Sequence, residues 1–145
     1  MKKLLALTAA LILRCGSACA GYKGDILEIV LFEVWLKEAG YKGFSGPIEE
    51  DGYLIYALQG MWIGITIENN APIHCTIHAE KEYAADALLV CYLAAISFAD
   101  KRCDIMDIYR EYRLTGSATG HCAGDWYCVI KDMDDGKLSV NLVKV

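Results

Sequence analysis

The chain has 145 residues and a formal net charge of −5 at pH 7. This length suits one domain that can form a hydrophobic core without help from metals or disulfides. The acidic balance, together with the lack of a cluster of lysines and arginines in the sequence, argues against binding to nucleic acid or to anionic lipid.

The first twenty residues have the pattern of a secretory signal peptide. Two lysines follow the initiating methionine, residues 4–13 form an apolar run, and small residues dominate 15–20. The apolar run is too short to span a bilayer of about 30 Å as a helix. We therefore expect residues 1–20 to be removed, leaving one exported domain of a bacterial protein over residues 21–145, periplasmic or secreted.

Two other interpretations of this N-terminus stay open. Cleavage before Cys19 would leave a cysteine that can be lipidated, and the protein would then be anchored to a membrane. An uncleaved apolar anchor is the other interpretation, although Arg14 directly after the apolar run fits it poorly. Removal of the leader would also remove three basic residues and lower the net charge from −5 to −8, which favours solubility.

Residues 25–39 have the pattern of a helix. Asp25 can cap its first turn, Glu28 stands three residues later in the capping-box position, and Gly40 is placed to end it. Apolar residues surround most of the helix, and such a helix is buried against a sheet or against a second subunit. This helix, or a sheet edge, is therefore the expected contact of a homodimer.

Three strands are predicted next. They cover residues 53–59, 61–68 and 73–79. Because side chains alternate along a strand, Trp62 and Thr66 share one face of the second, and His74 and His78 share one face of the third. Turn residues separate the three strands, so they are expected to form an antiparallel meander.

The second half of the chain continues with two helices and two strands. The helices are predicted over residues 80–99 and 104–114, and the strands over 126–133 and 138–145. The turn Asp134-Asp135-Gly136 joins the last two strands into a hairpin. Two segments are predicted as loops: 43–52, because of Gly46-Pro47, and 115–125, because its residues are small and include glycine.

The resulting element order is α-β-β-β-α-α-β-β. Strands pair as hairpins, three in a meander and two in a C-terminal hairpin, and none of them requires a parallel crossover. This order predicts an α+β fold in which a single antiparallel sheet packs against two to three helices. Over roughly residues 25–99 the order resembles that of type III secretion chaperones and of YbjN-like proteins, which begin α-β-β-β-α.

Cysteines are expected to form at least one disulfide, because thiols become oxidised outside the cytoplasm. The predicted mature domain contains Cys75, Cys91, Cys103, Cys122 and Cys128. An odd number leaves one free, paired with another chain, or paired with a retained Cys19. The leading pair is Cys122–Cys128, which would close a short loop, and the second is Cys91–Cys103, although spacing alone does not choose the connectivity.

A metal site would have to use His74 and His78. On a strand these residues lie about 13 Å apart and cannot share one ion, whereas on a helix they would converge on zinc or copper. Pro72 and the β-branched residues nearby favour a strand. We therefore expect no metal and no other cofactor, and we keep a metal-binding exported protein as an alternative.

A thiol hydrolase of the cell envelope is a second alternative. Cys103 precedes a predicted helix start, where amide dipoles lower the pKa of a thiol. His121 precedes a predicted strand, and Asp125 is close enough in sequence to orient its imidazole. A thiol at a helix start followed by a histidine beside a strand resembles papain-like cell-wall hydrolases in outline, and the resemblance implies Cys103 as nucleophile and His121 as base.

The leading expectation for function is non-catalytic. The sequence has no convincing catalytic set, but it supplies large apolar and aromatic faces. We therefore expect a domain that binds a protein or peptide partner in the cell envelope, with a homodimer as one form of it. Nucleic acid is not expected as a partner, and a membrane is expected only if Cys19 is lipidated.

Overall fold

The parts of the chain described by the computed structural model are residues 26–41, 43–50, 52–99 and 103–145. The predicted signal peptide, its cleavage site and Cys19 lie outside the described residues. The predicted helix cap at Asp25 lies outside them as well.

The described residues form three helices and seven strands. The helices are α1 (Leu27–Glu38), α2 (Ala84–Ala99) and α3 (Ile105–Thr115), and a 3-10 turn at Lys81–Tyr83 leads into α2. The strands are β1 (Ser45–Glu50), β2 (Tyr53–Leu58), β3 (Met61–Glu68), β4 (Ala71–Ala79), β5 (Ser117–Ala123), β6 (Trp126–Asp132) and β7 (Leu138–Lys144).

One antiparallel sheet contains all of these strands, in the order β1-β2-β3-β4-β7-β6-β5. The first four strands form one meander and the last three form another. The two meanders meet where β4 pairs with β7, and α2 and α3 connect them along the chain. The predicted α+β fold with a single antiparallel sheet is confirmed.

The predicted turns inside the first meander are confirmed. Gly60, between β2 and β3, has a φ of +71°, a conformation that glycine adopts without strain. Asn69 and Asn70, between β3 and β4, both have positive φ, as the mirror-image turns of tight hairpins require. These local signals therefore place the turns between β2, β3 and β4.

β1 corrects the prediction of a loop at 43–52. It contains Pro47, which has no amide hydrogen to give to a neighbouring strand. The proline is tolerated because β1 is an edge strand, and because its pairing with β2 shifts register between Ser45 and Ile48. The described part of the chain therefore begins α-β-β-β-β-α, one strand more than the start of the families that the predicted order resembles.

β5 corrects the prediction of a loop at 115–125. Its small residues are explained by α3, which packs over it: a Cβ atom on Gly120 would collide with the side chain of Ile108. α3 ends at Thr115 and β5 begins at Ser117, so the chain turns back directly along the helix. The glycine that suggested a loop is a packing residue in a strand.

The core lies on one face of the sheet, and all three helices pack on that face. We call it the helical face and the opposite side the open face. The largest fully buried side chains on the strands are Tyr56, Ile63, Ile65, Ile77, Ile130, Leu138, Val140 and Leu142, and those on the helices are Phe32, Leu36 and Val90. Alternation along each strand separates these residues from the polar and aromatic residues of the open face.

Three tyrosine hydroxyls donate hydrogen bonds to carboxylates and tie the helices to their neighbours. The pairs are Tyr56–Glu33 at 2.7 Å, Tyr41–Asp86 at 2.6 Å and Tyr112–Asp132 at 2.6 Å. They join α1 to β2, the segment after α1 to α2, and α3 to β6. Burial, reinforced by the neighbouring carboxylate, raises the pKa of Tyr112 to about 12, so its hydroxyl keeps its proton at neutral pH.

Within the described residues, one segment is long and apolar enough to cross a membrane: Lys81–Ala99, which is α2 with the turn before it. In this fold α2 packs against β4 and β7. Of its most apolar stretch, 44% is buried inside the protein. A core helix has the same apolar composition as a membrane span.

Candidate binding surface on the open face of the sheet

The open face is built by cross-strand register, which aligns its side chains in rows. The middle row runs across β2, β3, β4, β7 and β6 as Ile55, Gly64, Thr76, Asn141 and Val129. The flanking rows are Ala57, Trp62, His78, Ser139 and Lys131, and Tyr53, Thr66, His74, Val143 and Tyr127. The three described helices lie on the other face, so within the described residues these rows form one continuous surface.

Trp62 is the main aromatic side chain of this surface, and 38% of it is exposed. Its indole lies over Gly64, where an added Cβ atom would come within 2.7 Å of the ring. The indole also stacks on the imidazole of His78, with centroids 5.3 Å apart and an interplanar angle of 30°. These two contacts hold the indole in one orientation at the surface.

Two tyrosines extend the aromatic area along a flanking row. Tyr53 is 49% exposed on β2, and Tyr127 is 36% exposed on β6. The ring of His121 on β5 meets Tyr127 edge to face, with centroids 5.2 Å apart. Exposed aromatic rings therefore lie on both sides of the polar centre of the open face.

The polar centre is a hydrogen-bond network between β4 and β7. With its proton on Nε2, His74 donates to Oδ1 of Asn141 at 3.2 Å, and the hydroxyl of Thr76 donates to the same oxygen at 3.0 Å. Nδ2 of Asn141 donates to the hydroxyl of Ser139 at 2.8 Å. The network orients these side chains before any partner is bound.

These residues line an open concavity of about 590 Å³ that extends towards β6. Its rim includes Asp134 and Lys131. Asp132 also borders it, but the carboxylate of Asp132 already accepts from the Tyr112 hydroxyl and pairs with Lys81 at 2.9 Å. Burial lowers the pKa of His78 below its ordinary value. Of the neighbouring charges, Asp135 raises this pKa, whereas Lys137 and Lys131 lower it. His78 is therefore neutral at pH 7.

The centre of the open face carries no formal charge. Its rows hold twelve positions on β2, β3, β4 and β7, and none of them is Asp, Glu, Lys or Arg. The whole chain is 23% charged, so an uncharged surface of this extent differs from the rest. Charged groups come only at its borders, for example Glu50 on β1 and Lys131 on β6.

The structure pairs Cys103 with Cys122, and both predicted pairs, Cys122–Cys128 and Cys91–Cys103, are wrong. α3 runs back along β5, so Cys103, two residues before α3, lies beside Cys122 near the end of β5, with the two Cα atoms 4.4 Å apart. Cys91 and Cys128 are buried free thiols. The Cys122–Cys128 prediction failed because it assumed a loop where the structure has β5.

The residues of the thiol-hydrolase hypothesis do not form a nucleophile and base in this structure. The sulfur of Cys103 is bonded to Cys122 and is not available as a thiolate. Nε2 of His121 donates to the carbonyl oxygen of Gly124 at 2.8 Å. A backbone carbonyl therefore orients this imidazole, where the hypothesis required the carboxylate of Asp125.

The strand conformation predicted for His74 and His78 is confirmed, since both lie in β4. Four residues of strand separate them by about 13 Å, and their rings have different partners: Asn141 for His74 and Trp62 for His78. Over residues 26–41, 43–50, 52–99 and 103–145, no group of three or more His, Cys, Asp or Glu could hold a metal ion.

Alternation in the sequence identified parts of this surface but not the whole. It placed Trp62 and Thr66 on one face of β3, and His74 and His78 on one face of β4. It did not show that Asn141 completes the polar centre, because β7 is distant in sequence and is inserted beside β4 only by the fold. The alternation of apolar and polar residues over 138–142 is the signal that could have assigned faces to β7.

Comparison of the chain with protein-family models, with curated proteins and with solved structures finds no match. Its function therefore has to be inferred from the geometry and chemistry of the surface described above.

Proposed function

We propose that this chain is an exported, non-catalytic binding domain and that its open face binds a protein or peptide partner. The observation that carries the proposal is Trp62, an exposed indole that lies over Gly64 and stacks on His78, on the face opposite the three described helices. Tryptophan and tyrosine are enriched among the residues that supply most of the binding energy at protein interfaces.

The order of the surface before binding also supports this proposal. An indole that already has one orientation loses little conformational freedom when a partner packs on it, and the cost of ordering side chains is a main cost of association. The network of His74, Thr76, Asn141 and Ser139 is likewise formed in advance. A partner therefore meets fixed hydrogen-bonding groups beside a fixed aromatic ring.

Charge defines the chemistry of the partner. The centre of the open face is uncharged, its rim includes Asp134 as well as Lys131, and the chain is acidic overall. A complementary partner has an aromatic or aliphatic side chain for the centre and lysine or arginine beside it for the rim. We therefore propose a peptide segment of that composition, whose association is faster at low salt.

The export part of the proposal rests on two features. The leader has the order of cationic, apolar and small residues that secretory signals have. The disulfide between Cys103 and Cys122 is compatible with folding in an oxidising compartment, since such bonds are rare in the cytosol.

Selection of a displayed random-peptide library against the purified protein tests the binding proposal. We expect enriched peptides to contain an aromatic residue flanked by basic residues, and Trp62→Ala to weaken their binding at least ~10-fold. Fluorescence anisotropy with labelled peptides measures the affinities.

The matched control is Leu89→Ala, because Leu89 is 41% exposed on α2, on the helical side of the molecule. Its affinity for the same peptides should equal that of the unaltered protein. Binding that survives Trp62→Ala but is lost in Leu89→Ala would contradict the proposal and place the site on the helices.

The homodimer expected from the sequence stays a prediction, and light scattering of the same protein across concentrations measures it. We favour the edge of β5 over α1 as the contact, because α1 uses its apolar face in the chain's own core. The edge strand β1 carries Pro47, Glu49 and Glu50, which discourage pairing with another strand, whereas β5 has no proline and no formal charge. A monomer at all concentrations would contradict this contact.

A further inference from the structure

Three free thiols lie in the core on the helical face of the sheet. Cys75 on β4, Cys91 on α2 and Cys128 on β6 are each 0% exposed. The Sγ atoms of Cys91 and Cys128 are 4.0 Å apart, in direct contact. The five cysteines of the predicted mature domain therefore divide into one bonded pair, one contacting pair and Cys75.

We propose that Cys91 and Cys128 form a second disulfide when the chain folds under oxidising conditions, and that Cys75 is the cysteine left as a thiol. This inference deepens the export part of the proposed function, since it describes what the chain becomes outside the cytoplasm. The bond would join α2 to β6, next to the bond that joins the start of α3 to β5.

Sheet geometry excludes Cys75–Cys128, one of the two pairs that compete with Cys91–Cys128; the other, Cys75–Cys91, is decided by the mapping experiment below. Cys75 and Cys128 both lie opposite Leu142 on β7, one on each side of it. Two strand spacings separate their Cα atoms by about 9.5 Å, beyond the ~7 Å that a disulfide can bridge without backbone movement. Cys91 lies on the helix above the sheet, and its sulfur is already in contact with that of Cys128 at 4.0 Å.

The bond forms by two thiol–disulfide exchanges. The Cys91 thiolate attacks the disulfide of an oxidant, either oxidised glutathione or an oxidised dithiol protein, and one thiol of the oxidant leaves. The Cys128 thiolate then attacks Sγ of Cys91 in the mixed disulfide, and the second thiol leaves. Two electrons pass to the oxidant, and the two cysteine protons are balanced by those on its released thiols.

The burial of the pair places this reaction within the folding process. Neither sulfur is accessible to an oxidant once α2 has packed on the sheet. The hydrogen bond with Cys128 and burial also raise the pKa of the Cys91 thiol well above its ordinary value, which disfavours the attacking thiolate. The exchange therefore takes place while α2 and β6 are still assembling.

Refolding of the full chain in two redox conditions tests this inference. The protein is reduced and unfolded, then refolded in parallel in a glutathione redox buffer and in a reducing buffer. Remaining thiols are alkylated in denaturant, and peptide mapping by mass spectrometry locates the bonds. In the glutathione sample we expect the Cys91–Cys128 bond together with the Cys103–Cys122 bond, and alkylation at Cys75.

Two variants separate this result from random oxidation. Cys75→Ser should keep both bonds, whereas Cys91→Ser should keep only the bond between Cys103 and Cys122. Alkylation of both Cys91 and Cys128 after oxidative refolding, or a bond that contains Cys75, would overturn the inference.

The same mapping on protein recovered from expressing cells tests export separately. Recovery of the Cys91–Cys128 bond from the periplasm or medium supports both proposals. A chain that forms the bond during refolding but is found reduced in the cytoplasm would contradict export and leave the disulfide assignment standing.

Discussion

At the scale of single residues, Gly64 decides the orientation of the aromatic surface. The indole of Trp62 occupies the space that a side chain at this position would need. Gly64→Val should therefore displace the indole from His78, move tryptophan emission to longer wavelength and abolish Trp62-dependent peptide binding. Because valine suits a strand, we expect the free energy of unfolding to change by less than about 1 kcal/mol. Thr119→Val, at an exposed position of β5, is the matched control and should preserve emission and binding. Unchanged peptide affinity in Gly64→Val would contradict this role.

At the scale of elements, the attachment of α1 to β2 depends on the hydrogen bond from Tyr56 to Glu33. The tyrosine is 0% exposed and its hydroxyl donates to the carboxylate at 2.7 Å. Tyr56→Phe should lower the free energy of unfolding by about 1–2 kcal/mol, because a half-buried carboxylate loses one hydrogen-bond donor. Urea unfolding measures the change. Glu33→Gln keeps an acceptor for the hydroxyl and should cost less. An equal or larger loss in Glu33→Gln would show that the charge of Glu33, and not the hydrogen bond, holds α1.

At the scale of the whole molecule, pH acts on stability in two opposite ways. Protonation of carboxylates relieves the repulsion within an acidic chain as pH falls. His78 opposes this, because its pKa is lowered by burial in the folded state while the unfolded chain takes up the proton near pH 6.5. Its contribution to stability is present above about pH 6.5 and decreases as pH falls below that value. Urea midpoints at pH 7.5 and 5.5 should therefore show a smaller loss, or a larger gain, on acidification for His78→Gln than for the unaltered protein. Identical pH responses would contradict this assignment.

The sequence by itself determined the features that depend on neighbouring residues. Alternation placed Trp62 and His78 on strand faces, and the turn at Gly60 was recognised from its sequence. The fold class followed from the order of these elements. Such features are predictable because the periodicity of a helix or strand and the backbone preferences of a turn are set within a few residues.

Only the tertiary structure decided the features that depend on partners distant in sequence. β1 and β5 have the composition of loops, and they are strands because β2 and β6 offer them backbone partners. Cys103 meets Cys122 because α3 folds back along β5, and Asn141 completes the open face because β7 pairs with β4. The physical reason is that strand pairing and disulfide geometry depend on which segments the whole core brings together, and no local pattern contains that information.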